Sequence, residues 1–543
     1  MTDSRPFIIG LTLLAWVTAL LLIGCLTILF TGQISALTPI LAVPVAIATA
    51  IWCAPSLNFT RQSVILPVII AFSVIAVSLY LSANAYDASW DGQGYQFEGT
   101  QAVADGWDIY RENAPDGAIQ PLWLGFYSKG AWVTSGALVK LFDDIEVGKA
   151  VNLILMIAVL TCAPLVLKLW GQSRRMAWVL ALFLALNPVS IAQMFTYYID
   201  GQLAGMLTIV ILMLGLAGTR PNRAGWVTLT AAAILLLSVK LNGAVYLTVT
   251  AGIYAFWHWR SGLTGGRTLL YCGIIAYVLG IGLVSWNPVV TQFARYTLEE
   301  RDPFYPTTWH DITALDKNMP PDLKGAGAIS IFRSLFAQYA PGGASPIKVP
   351  FTVAPEEIFW VADARWSGFG PLFSGALIVV FVTMLITANH SQKIARHTAL
   401  TMALTGSLFG MFVFNSAWWW ARYVPQLWVW VVIIVGMLWM ISAENRWLWV
   451  ASRVCVITLA LNICLLTTMA IGAAVYATAV MRHDLVHIAE MSVDTPVAVN
   501  FDGFVLVKAH FDRAGVRYIE SPMLPCEDAQ KHTVQATQVK YCP

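Results

Sequence analysis

The chain has 543 residues, of which 58% are hydrophobic and 11% charged, with a formal net charge of +2. A soluble domain usually carries about 25% charged residues, so this chain has too little polar surface for water alone and lipid must be much of its solvent. The balanced charge, with no basic face, argues against a nucleic-acid partner.

A spanning helix needs ~20 apolar residues at 1.5 Å each. In chain order, such runs fall near residues 7–30, 37–54, 63–83, 147–168, 176–195, 201–218, 225–239, 241–258, 269–287, 371–388, 398–415, 423–442 and 449–479. The pattern predicts an all-α polytopic membrane protein of about thirteen transmembrane helices. The first run is too long for a signal-peptide core and no small-x-small site closes it, so it reads as an uncleaved first helix. The second run contains Pro39 and Pro44.

Long polar segments interrupt the runs at 84–146, 289–370 and 482–543. The first contains Pro121-Leu-Trp-Leu-Gly-Phe-Tyr-Ser-Lys129 and an amphipathic stretch to Phe142, which suit helices lying on a membrane surface. The tail reads as strand 496–501, helix 504–514, strand 516–520 and a loop, a small α/β appendage. Its Cys526 and Cys542 are 16 residues apart in polar sequence and suit a disulfide in an oxidising compartment. Cys25, Cys53, Cys162, Cys272, Cys455 and Cys464 lie in apolar stretches and read as small core hydrophobes.

Orientation follows from basic residues. With the N-terminus in the cytoplasm, the cytoplasmic turns hold 13 basic residues, among them Arg174, Arg175, Arg220, Arg223, Arg260 and Arg267, against only Asp3 and Glu444. The other face holds 28 of the 30 carboxylates and the C-terminus. The sequons at Asn58 and Asn389 fall on the cytoplasmic side, so glycosylation of the chain is not implied.

Few ionisable groups sit at the external membrane edge, where a charge is costly unless paired or facing a wet cavity. Asp91 follows the third run within Trp90-Asp-Gly-Gln-Gly-Tyr95, flanked by aromatics and by glycines that let the backbone turn. It reads either as a reactive carboxylate or as the N-cap of a surface helix. Asp200 heads the helix after Tyr198-Ile, Lys240 stands between two apolar runs, and Arg422 lies in Trp418-Trp-Trp-Ala-Arg-Tyr423. Arg295 follows the helix that ends at Asn287-Pro288. Each cation reads as a phosphate ligand, a snorkelling side chain or half of a structural ion pair. His310, beside Trp309, is a candidate ligand of a donor or acceptor, or a loop histidine packed on that indole. The 23 Trp and 18 Tyr serve as interfacial belts and as platforms for sugar rings. No metal-binding spacing, Walker A run or G-x-S-x-G is present, so neither a metal nor another cofactor is expected.

The layout and several stretches resemble the GT-C superfamily of polytopic glycosyltransferases. The stretches are Trp90-Asp-Gly-Gln-Gly-Tyr95, Tyr127-Ser-Lys-Gly-Ala-Trp132, Asn187-Pro188, Tyr198-Ile-Asp-Gly-Gln202, Asp302-Pro-Phe-Tyr-Pro306 and Trp420-Ala-Arg-Tyr423. The resemblance covers roughly residues 63–442, a transmembrane catalytic module with external loops 84–146 and 289–370. Residues 1–62 then read as added helices, 443–481 as a final helix and 482–543 as an external domain. The tight Asp-x-Asp that some relatives use for a metal is absent; Asp105-Gly-Trp-Asp108 is wider.

The resemblance implies an inverting transfer of a sugar from a polyprenyl-phosphate donor to an external glycan, lipid or protein, at a bacterial inner membrane. Asp91 takes the place of the family's essential acidic residue in the first external loop. Asp91 is then the base, Arg422, Lys240 and Arg295 face the donor phosphate, and Trp90, Tyr95, Asp200, Trp309 and His310 contact sugar or acceptor. A flippase for lipid-linked sugars, or a surface-glycan ligase or polymerase using a lipid diphosphate, are the competing readings. Paired halves, common in transporters, are not evident.

Overall fold

The structure, a computed structural model, describes residues 4–60, 62–260, 265–286, 319–324, 329–338, 346–355, 357, 368–387, 419–442 and 445–543. Among these, seven helices are long and apolar enough to cross a membrane. The described chain is mostly helical, with one small sheet near the C-terminus.

Helix α1 (Arg5–Thr31) starts with a proline in its first turn and ends at Gly32, whose φ of 79° suits glycine. It packs against α7 (Ala150–Leu169), α2 (Thr38–Cys53) and α3 (Ile65–Ala83). A Cβ on Gly10 would overlap the side chains of Cys162 and Thr161, so the missing side chain lets α1 and α7 approach closely. α1 and α7 are mostly buried, whereas α2 and α3 expose Leu41, Trp52, Ile69, Tyr80 and other apolar groups. That division suits interior and lipid-facing helices respectively.

The loop at 84–146 carries a short π-helical turn at Gly92–Gln96, then α4 (Phe97–Asp105), α5 (Pro121–Phe126) and α6 (Gly130–Phe142). The run 176–195, expected as one spanning helix, is divided. α8 (Arg174–Ala185) stops before Asn187, and α9 (Pro188–Gln193) begins at the proline. Pro188 bars its predecessor from helical geometry, and the Asn187 carboxamide instead accepts from the Val189 N–H at 3.0 Å.

Helices α10 (Asp200–Thr219) and α11 (Arg223–Val239) form a hairpin across Arg220-Pro-Asn222. The N-terminus of α10 therefore meets the C-terminus of α11. Helices α12 (Asn242–Arg260) and α13 (Gly266–Tyr277) follow; a π-helical segment, Val278–Val284, extends α13. Shorter helices are α14 (Ile329–Leu335), α15 (Phe373–Thr387) and α16 (Gln426–Ile441). The run at 398–415 lies outside the described residues.

The last long helix, α17 (Arg446–Met491), continues 12 residues past the end of its apolar run at residue 479. Its upper part joins the C-terminal domain through Ala477, Met481 and Ile488. That domain comprises β1 (Val497–Asn500), α18 (Val505–Arg513), β2 (Tyr518–Glu520), β3 (His532–Thr533) and β4 (Lys540–Cys542). β1 and β2 pair in parallel around α18, and β4 joins antiparallel, giving the order β2-β1-β4-β3. The last two strands, expected as loop, are too short and polar to show alternation. A disulfide joins Cys526 to Cys542 in β4.

Candidate functional site

Four of the ionisable residues singled out at the membrane edge converge. The Arg422 guanidinium donates to Asp91 Oδ2 at 3.0 Å and lies 3.8 Å from Asp200 Oδ2. The Lys240 ammonium donates to Asp200 Oδ1 at 2.8 Å. The cluster thus alternates Asp91, Arg422, Asp200 and Lys240.

Local structure explains two of these placements. Asp200 is the first residue of α10, and Lys240 follows the last residue of α11. An anion at a helix N-terminus and a cation at a C-terminus are each favoured by the helix dipole. The α10–α11 hairpin brings those two ends together. Lys240 does end a helix, and its charge is also committed to Asp200. Gln193, at the end of α9, donates to Asp200 at 3.4 Å and accepts from the Gly201 N–H at 2.7 Å. Asn152 of α7 donates to the carbonyls of Gln193, Thr196 and Tyr198, fixing the connection that leads into α10.

Aromatic rings wall the cluster. The Arg422 guanidinium lies 4.1 Å from the Trp420 ring centre and 5.3 Å from those of Tyr198 and Tyr423. The Lys240 ammonium is 4.3 Å from the Tyr423 ring centre. Tyr95 donates to the Tyr127 hydroxyl at 3.2 Å. Burial, with the Asp91 charge, lifts the Tyr95 phenol well above its ordinary range, and burial pushes Tyr127 up to about 12. Both phenols are therefore neutral at physiological pH.

Asp91 sits at the start of the π-helical turn, and its side chain makes no cap hydrogen bond to that turn. The capping alternative is thus not what the carboxylate does; Arg422 holds it instead. Its side chain remains 19% exposed. Trp90 is 55% exposed and meets Phe504 of the C-terminal domain edge-on, with ring centres 4.9 Å apart. Arg295, Trp309 and His310 lie outside the described residues.

A second cluster of ionisable groups forms around Asp87 and Glu146. Asp87 is fully buried and accepts from the N–H and hydroxyl of Ser89, at 2.8 and 2.6 Å, and from the Tyr197 N–H at 2.6 Å. A Cβ on Gly92 would collide with Asp87 and Ser89, so glycine permits this fold of the Asp91 segment. Glu146 pairs with Lys149 and, at 2.8 Å, with His510 of α18. Burial pushes the Asp87 carboxyl up to about 6. Burial opposes ionisation of Glu146 too, but Lys149 and His510 outweigh it and hold that carboxyl below its usual range. Sequence reading missed Asp87, Glu146, Lys149 and His510. The one available signal was the repeated carboxylate in Asp87-Ala-Ser-Trp-Asp91.

The sequence matches no protein-family model and no curated protein.

Proposed function

We propose that the chain is an inverting, multi-pass glycosyltransferase of a bacterial inner membrane. It has about thirteen spans, as its apolar runs indicate, with its N-terminus cytoplasmic and its C-terminal domain outside. A polyprenyl-phosphate sugar is the donor, and an external glycan, lipid or protein is the acceptor. The observation that carries this reading is the partly open carboxylate of Asp91 held at 3.0 Å by a guanidinium, beside an exposed indole.

A lipid phosphate is a good leaving group and needs cations rather than a proton donor. One carboxylate is then enough to take the acceptor hydroxyl's proton. The acceptor oxygen forms its bond to the anomeric carbon as the bond from that carbon to the phosphate oxygen breaks. The electron pair leaves with the polyprenyl phosphate. A single displacement inverts the anomeric centre, and no second carboxylate across the bond is required, unlike in a glycosidase.

Asp91 suits the base because it is partly open, whereas Asp87 is fully buried. Arg422 suits the phosphate. The incoming phosphate competes with Asp91 for the guanidinium, which releases the carboxylate as the donor arrives. Lys240 remains engaged with Asp200, so its share is to keep the site's charge and to position Asp200 against Arg422.

The test is purified protein in sealed lipid vesicles with a labelled polyprenyl-monophosphate sugar. Transfer to an acceptor supports the reading. Movement of the lipid without transfer points to a flippase, and use of a diphosphate donor alone points to a ligase or polymerase.

A further inference from the structure

The C-terminal domain touches Trp90 directly and is anchored around it through other residues of the loop at 84–146 and through Tyr197. Phe504 packs edge-on against Trp90, with planes 80° apart. Gln120 donates to the Gly503 carbonyl at 3.5 Å. Leu506 of α18 is buried with Phe97, Ile145 and Tyr197. His510 meets Glu146 at 2.8 Å, with its ring centre 4.8 Å from that of Tyr86. The contacts run along one face of α18 and the turn before it.

Their effect on Trp90 is specific. Phe504 is itself almost fully buried, yet Trp90 stays 55% exposed. An edge contact fixes the indole plane while leaving ring surface open. Exposed tryptophans such as Trp52, Trp259 and Trp447 lie at the ends of apolar helices, where interfacial anchors belong. Trp90 instead stands in the loop at 84–146 against the C-terminal domain, next in sequence to the partly open Asp91. A flat, fixed aromatic face suits the apolar face of a pyranose ring, as aromatic rings serve other stacking ligands.

We infer that Phe504 is a positioning residue for acceptor recognition: the C-terminal domain holds Trp90 as a platform on which a pyranose ring of the acceptor stacks, with its hydroxyl toward Asp91. This rests on the glycosyltransferase reading for the hydroxyl's fate, but not for the stacking itself.

Two measurements on the full-length protein separate the two claims. In the first, saturation-transfer NMR is recorded with maltotriose, mannotriose and chitotriose as probes. Signal on the pyranose protons of at least one trisaccharide is expected for the wild type, with loss in Trp90→Ala. Weakening in Phe504→Ala and rescue in Phe504→Tyr are also expected. The absence of a Trp90-dependent signal with all three sugars overturns the platform, whatever the enzyme assay shows. In the second, transfer from the labelled monophosphate donor is followed at varied acceptor. Phe504→Ala should raise acceptor KM roughly 2- to 13-fold, the loss expected for an aromatic contact of ~0.5–1.5 kcal/mol, with donor KM unchanged. A fall in kcat or a rise in donor KM at constant acceptor KM contradicts the inference. No transfer by the wild type, with the NMR pattern intact, removes the glycosyltransferase reading and leaves the sugar platform standing.

Discussion

The guanidinium of Arg422 donates to the carboxylate of Asp91 at 3.0 Å across 331 positions of sequence. It comes from the short turn Ala421–Tyr423 before α16, and the carboxylate from the turn that precedes α4. If the donor phosphate takes this guanidinium, Arg422→Gln should raise donor KM roughly 10- to 150-fold, the equivalent of a charge-assisted hydrogen bond of ~1.5–3 kcal/mol. Steady-state kinetics at saturating acceptor measure this. An unchanged donor KM would remove Arg422 from the phosphate site.

The Lys240–Asp200 pair is buried, with side chains 10% and 3% exposed. Removing one partner of such a pair costs ~3–5 kcal/mol, because the other charge is left behind. Lys240→Met should therefore lower the melting temperature markedly. The double variant Lys240→Met with Asp200→Asn should be less destabilised than Lys240→Met alone. Thermal unfolding in detergent compares them.

Lys129 is buried beside the indoles of Trp107 and Trp132, and its ammonium donates to the Leu124 and Gly125 carbonyls. Burial lowers its pKa to about 7. The unfolded chain holds this proton up to about 10.4, the ordinary lysine value. Between these limits the unfolded state binds more protons than the fold, so stability rises with pH. The contribution is fully present above the unfolded value and is lost as pH falls through about 7. Wild-type stability should climb from neutral to alkaline pH relative to Lys129→Met. Parallel curves for the two proteins would show that burial does not shift this amine.

Gly92→Ala introduces a methyl group against Asp87 and Ser89, which have no room for it. Overpacking of this kind costs ~1–3 kcal/mol, and here the strain falls on the segment that presents Asp91. Turnover should drop while substrate KM values change little. Gly117→Ala is a control, since its Cβ meets no atom within 4 Å, although the positive φ of 78° adds local backbone strain.

The polar cluster was legible in part because lipid makes charge conspicuous. Asp200, Lys240 and Arg422 each interrupt apolar sequence, and ionisable groups there need a partner or a wet cavity. The second cluster was not legible. Asp87 and Glu146 belong to a long loop rich in carboxylates, where no single charge stands out, and the partner of Glu146, His510, lies 364 positions away. Among the described residues, the seven helices long and apolar enough to cross a membrane fall on apolar runs, but the division at Asn187 required weighing Pro188 above the run's hydrophobicity. The tail showed β1, α18 and β2 through their apolar spacing. Its β4 is held by pairing with β1 and by the Cys526–Cys542 disulfide, and β3 by pairing with β4, none of which has a periodic signature.

The most direct test of the account compares wild type and Asp91→Asn in lipid discs with a labelled polyprenyl-monophosphate sugar and an acceptor. The account predicts transfer with inversion by the wild type. In the variant it predicts a loss of roughly 10²- to 10⁴-fold, the usual share of a general base, with unfolding temperature and donor binding retained. Full activity in Asp91→Asn would contradict it.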